Sequence, residues 1–127
     1  MALMAMAFPL VPGQSARWRA WIAELNGARH AEFVASRRAA GVRERIFLQA
    51  TPMGEFVLVT LEGEDPMASF GKMLSKDDEF TRWFVENASA AHGVDLSQPM
   101  QEAPSALLLD SEGAHDAAPS SNPGAER

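Results

Sequence analysis

Few side chains in this chain can move a proton or hold a ligand. His30 and His92 are the histidines of the main body, and His115 lies in the C-terminal tail. A histidine near neutral pKa serves as a general base, a proton donor or an axial haem ligand. Each also has a plainer role. His30 stands on a helix flank beside Arg29 and Glu32. His92 precedes Gly93 at a helix end, where an imidazole caps free carbonyls. Arg29, Arg37 and Arg38 can grip a carboxylate or phosphate through forked hydrogen bonds, or simply form a solvated helix face. Trp18, Trp21, Trp83 and Phe84 can stack on a flat ligand. Their helical spacing suits a core equally well, unless an indole N–H faces a cavity.

Other chemistries are poorly supplied. There are no cysteines, which excludes disulfides, thiolate metal sites and thiol nucleophiles. No His-x-x-x-His and no histidine–carboxylate cluster has ligand spacing, so no metal and no cofactor is expected. Glu62, Glu64 and Asp65 are the densest carboxylates, and they read as a loop and a helix N-cap. A Gly-x-Ser-x-Gly nucleophile elbow and a glycine-rich phosphate loop are both absent.

The elements that must position these groups centre on Arg45 to Glu62. Ile46 and Leu48 alternate with Phe47 and Gln49. Across Thr51-Pro52-Met53-Gly54, Val57, Val59 and Leu61 alternate with Phe56, Leu58 and Thr60. This period of two marks a hairpin with unlike faces, and the Pro and Gly fit its turn. Ile46, Leu48, Val57, Val59 and Leu61 form an aliphatic face for helices to cover. The other face mixes Phe47, Phe56 and Leu58 with Gln49, Thr60 and Glu62. It is too apolar to stay wet, and it calls for a partner subunit or a ligand.

Around the hairpin, alternation predicts a first strand near Leu3 to Leu10. A helical region follows from Gln14 to Ala40, broken near Asn26-Gly27 and closed by Gly41. Asp65 caps, and Pro66 opens, a short helix Met67 to Leu74. Ser75 with Asp78 resembles a capping box for a helix from Lys76 to His92. After Leu96 the chain turns rich in Pro, Ser and Ala. Residues 106–110 offer an optional fourth strand, and 111–127 read as disordered.

The order β-α-β-β-α-(β) is ferredoxin-like. It predicts an α+β domain over residues 1–96 with an antiparallel sheet open on one side, and a tail over 97–127. A two-fold dimer with facing sheets covers that side. The second hairpin face, joined by Met4, Met6 and Phe8 if their parity matches, would then line a barrel with Trp18 and Trp83. A ligand cavity and a filled interface both remain open.

The 127 residues carry a net charge of −6 with 46% apolar content. One domain with a real core is expected. Arg17 to Arg45 is locally basic, but the whole is acidic without a basic stripe, which argues against nucleic acid. The longest apolar run, Met1 to Val11, is about half a membrane span and lacks the basic start of a signal peptide. A cytoplasmic protein is expected.

Five short patterns carry a resemblance. They are Trp18-x-x-Trp21, Ser36-Arg37-Arg38-x-x-Gly41, Leu61-Glu62-Gly63-x-Asp65-Pro66, Asp78-x-Phe80-x-x-Trp83-Phe84 and His92-Gly93-Val94-Asp95-Leu96. In this order, across residues 1–96, the chain resembles the dimeric α+β barrel superfamily, distantly its antibiotic-biosynthesis monooxygenases. More narrowly it resembles a small bacterial family without an assigned activity. The resemblance implies the fold and a homodimer. Superfamily members include cofactor-independent oxygenases, haem-using enzymes and plain ligand binders, so it does not choose a chemistry. No motif of a characterised enzyme matches, and no catalytic residue carries over. Three expectations follow: a homodimer that binds or oxidises a small apolar or aromatic molecule without metal, a non-enzymatic structural or regulatory homodimer, and a haem binder using His30 or His92.

Overall fold

A computed structural model describes residues 1–113. The strands are β1 (Ala2–Pro9), β2 (Val42–Thr51) and β3 (Gly54–Gly63). The helices are α1 (Ser15–Asn26), α2 (His30–Ala40), α3 (Pro66–Ser75) and α4 (Glu79–His92). The strands form one antiparallel sheet in the order β1-β3-β2. β1 and β2 run parallel to each other, with β3 between them. That arrangement is compatible with the ferredoxin-like order.

Local chemistry explains most boundaries. Thr51 Oγ1 accepts from Met53 N at 3.1 Å and donates to the Gly54 carbonyl at 2.8 Å, which closes the two-residue hairpin loop. Gly41 ends α2 at φ 75, a left-handed conformation that a Cβ disfavours. The α1–α2 break falls at Gly27, as expected. Asp65 caps α3 by accepting from Ala68 N, with Pro66 at the first helical position. One boundary differs. Ser75 forms no capping box; its hydroxyl donates back to Lys72 O at 3.4 Å. Asp78 itself is the cap and accepts from Thr81 N at 2.8 Å, so α4 begins at Glu79 rather than Lys76.

The register assigns the faces. Met4–Leu61–Glu44, Met6–Val59–Ile46 and Phe8–Val57–Leu48 are cross-strand rows on the covered side. They pack against Trp18, Trp21 and Leu25 of α1, Phe70 and Met73 of α3, and Phe80, Phe84, Ala88 and Ala91 of α4. Met4, Met6 and Phe8 therefore do not share the mixed face with Phe47. Their pairing partners are the aliphatic residues of β3, so their parity places them in the helix-side core.

Residues 106–110 form no strand. Three consecutive leucines cannot alternate, and Leu108 and Leu109 are exposed. The segment meets β1 through Ser105, whose hydroxyl donates to the Ala5 carbonyl at 2.5 Å. The disorder expected for 111–127 falls, from residue 114 on, outside the described residues, as does His115.

Gly63, at the end of β3, shows why one position excludes a side chain. A Cβ there would overlap the Gly41 carbonyl oxygen and crowd Val42. Gly63→Ala is expected to destabilise the fold by about 1–3 kcal/mol through this overpacking, read as a lower urea midpoint with an unchanged slope.

Candidate functional site

The candidate site is a partly enclosed cavity of about 40 Å³ between the sheet and the helices. Its walls are almost wholly apolar, with Met6, Met73 and Phe84 among them. Four lining residues carry polar atoms: Trp18, Trp21, Glu44 and His92.

Glu44 lies on the covered face of β2, in the row with Met4 and Leu61. Its side chain is 3% exposed. A lone carboxylate there would be costly, and Arg37 of α2 offsets it. Arg37 Nε donates to Glu44 Oε1 at 2.6 Å, and Nη1 donates to Ser36 Oγ at 2.8 Å. The guanidinium stacks over Phe84 at 4.4 Å and Phe33 at 4.7 Å. Arg37 is thus committed inside the core rather than presented to an anion.

Trp18 and Trp21 face inward from α1, one turn apart. Both indole N–H groups are buried without a hydrogen-bond partner. Buried donors in native proteins are rarely left so. Trp21 packs against Phe84 at 4.8 Å, which places it toward the Arg37–Glu44 end.

His92 marks the other end. It stacks on Phe8 at 5.1 Å, and its Nδ1 lies 3.0 Å from the Pro9 carbonyl. A carbonyl only accepts, so Nδ1 carries the proton and Nε2 is the acceptor. Burial pushes the His92 pKa below its ordinary value, and the Pro9 hydrogen bond opposes this in part. His92 is a neutral imidazole at neutral pH.

The other sequence candidates sit elsewhere. His30 is exposed at the start of α2, and its Nδ1 donates to the Leu25 carbonyl at 3.0 Å, tying α2 to the end of α1. Arg29 is engaged by Glu32 and Glu79 and lies 4.3 Å over Trp83. The hydrogen bonds it donates to Glu32 and then Glu79 raise its pKa further. Arg38 is exposed. The three arginines therefore do not converge. Trp83 is half-buried under Arg29 and does not line the cavity.

Phe47, Gln49, Phe56, Leu58 and Thr60 do share a surface, the sheet face opposite the helices. Phe47 is 52% exposed there, in a row with Leu58 and Ala7. Gln49, Phe56 and Pro9 form the next row. At the far end Arg45 Nη2 approaches Glu62 Oε1 at 3.4 Å. Within one chain these residues and Trp18 stand on opposite sides of the sheet and cannot line one cavity.

Sequence reasoning passed over Glu44. The signal was present: Glu44 shares parity with Ile46 and Leu48, which puts a carboxylate on the aliphatic face, as Glu55 does near the hairpin end. Among the described residues, no group of three His, Asp or Glu is placed to hold a metal ion. No described helix is long and apolar enough to cross a membrane. Comparisons with known family models, curated protein sequences and solved structures give no match.

The lowered His92 pKa has a definite pH signature. The unfolded chain takes up a proton near 6.5, and the folded chain resists it. Stability from this group is therefore full above about pH 6.5 and falls as the pH drops through the folded value. Urea unfolding is expected to show declining stability from about pH 6.5 toward pH 5, above the ordinary carboxylate range. His92→Gln is expected to flatten that slope, whatever its effect on absolute stability.

Proposed function

We propose that this chain is a homodimeric protein of the dimeric α+β barrel type that binds a small, largely apolar molecule in the interior cavity without a metal. One observation carries the reading: a partly enclosed, almost wholly apolar cavity whose lining includes Trp18 and Trp21, the two core tryptophans with buried, unpartnered indole N–H groups. An unsatisfied buried donor costs about 1–3 kcal/mol. A ligand with one acceptor oxygen removes that cost, and the aliphatic walls take its apolar body. Binding is favoured over oxidation. His92 is the one lining group free to exchange a proton, because Glu44 is held by Arg37. Haem is far wider than the cavity, and His30 lies outside it.

A screen of small neutral molecules by thermal shift tests this. Ligands with one acceptor oxygen are expected to raise the Tm, and Trp18→Phe with Trp21→Phe is expected to weaken them about fivefold per hydrogen bond lost. If no molecule shifts the Tm, or the double variant binds as well as wild type, the binding reading is wrong.

The open sheet face supports the second part. Phe47, Phe56 and Leu58 form an apolar centre, and the end row holds Arg43 beside Glu62. A surface with both charge signs can match its own copy about a two-fold axis. This face alone would also serve a structural or regulatory homodimer with no ligand. Sedimentation equilibrium is expected to give the mass of two chains, and Phe47→Glu the mass of one. A wild-type monomer at micromolar concentration would remove the dimer.

A further inference from the structure

The chain after α4 returns to the sheet and then leaves it. Leu96 and Met100 pack against the core. Ser105 then donates to the Ala5 carbonyl on β1, an edge strand. Beyond that anchor the chain carries Leu107, Leu108 and Leu109, the last two 71% and 89% exposed. Adjacent leucines left in water mark a surface that meets something. The exposed apolar side chains continue on the open sheet face, in Leu3 and Phe47. Ala5 belongs to that face, in one row with Thr60 and Arg45. The leucine segment therefore departs from the rim of the surface that a second copy would cover.

Charge and reach indicate where the segment goes. It ends in Asp110 and Glu112. The open face is basic along its other edge, where β2 carries Arg43, which is exposed, and Arg45. Two sheets packed face to face lie about 10 Å apart. A two-fold axis running along the strands sets the partner's β2 over β1 and keeps the cross-strand rows level. The partner's Arg45 then stands opposite Ala5 and the Ser105 anchor. From Ser105 to Asp110 the chain can span about 17 Å when extended, more than the gap between sheets. An axis across the strands would set β1 over β1 and leave two acidic ends side by side, which repel.

We infer that residues 106–112 of each chain form an arm that packs on the other copy, its leucines against the partner's Phe47 and its acidic end beside the partner's Arg43 and Arg45. This rests on the homodimer reading and deepens it, because each open face is then incomplete without the other chain's arm.

Sedimentation equilibrium of the full chain tests it. Wild type is expected to run as a dimer. Leu107→Ser with Leu108→Ser and Leu109→Ser is expected to raise the dissociation constant about a hundredfold, since three leucines lose their cover. Far-ultraviolet circular dichroism should not change, because the segment belongs to no helix or strand. Two charge reversals then ask which chain the arm touches. One chain carries Asp110→Lys with Glu112→Lys, and the other Arg43→Glu with Arg45→Glu. Each alone should pair with itself more than about tenfold more weakly than wild type. An equimolar mixture should recover the dimer, because every arm then meets a face of opposite charge. A wild-type monomer overturns the homodimer reading and this inference with it. A wild-type dimer that the serine substitutions leave equally tight overturns the inference alone. So do reversed chains that pair with themselves as tightly as wild type, or that fail to pair when mixed, which places the arm on its own chain.

Discussion

A carboxylate in the core sets the terms for the rest of this molecule. Glu44 sits among Met4, Leu61 and Phe84, where an unpaired charge is not sustainable. Arg37 must therefore reach it, and that reach fixes α2 against β2. The guanidinium in turn needs aromatic neighbours, which it finds in Phe33 and Phe84, so α4 is fixed as well. Losing one member of such a pair costs about 3–5 kcal/mol, although an apolar replacement of both can be neutral. The pair is thus weak evidence for stability and better evidence for a specified arrangement. It also leaves the one carboxylate that lines the cavity paired with a cation.

The sheet carries the second constraint. Its covered face is apolar apart from Glu44 and, near the hairpin end, Glu55, and its open face is half apolar. All four helices lie on one side, because only that side offers a continuous apolar surface to their stripes. The cavity is what remains where the three strands meet α1, α3 and α4. Its polar atoms are few, and each has an identifiable cause. The indoles come from the inward stripe of α1. The imidazole comes from the last residue of α4, turned inward to cap the end of β1.

Much of this was legible in the sequence, and the parts that were not share a cause. Gly41, Gly93, Asp65-Pro66 and the Thr51–Gly54 turn act within a few residues, so their spacing alone was enough. The two faces of the hairpin were legible for the same reason. The face taken by Met4, Met6 and Phe8 was not, because β1 alternates bulky and small residues and only its register with β3 decides between them. The fourth strand suggested by Ala106 to Asp110 rested on composition, and three adjacent leucines defeat the alternation a sheet edge needs. In the site, Trp18 and Trp21 were visible as a helical stripe, but their unpartnered N–H groups depend on what packs opposite. The Arg37–Glu44 pair crosses from a helix to a strand, and no local rule joins those positions.

The end of β1 is bolted to the end of α4. Val11 N donates to Ala91 O at 2.9 Å, and His92 donates to Pro9. Among the described residues, β1 pairs with β3 alone, from Ala2 opposite Gly63 to Pro9 opposite Phe56. β1 is therefore made before its partners, which are encoded more than forty residues later, and its latch is encoded later still. Such distant pairing slows folding. During synthesis methionine-rich β1 stays incompletely covered until α4 is made, and that interval is when a chaperone would have reason to hold it.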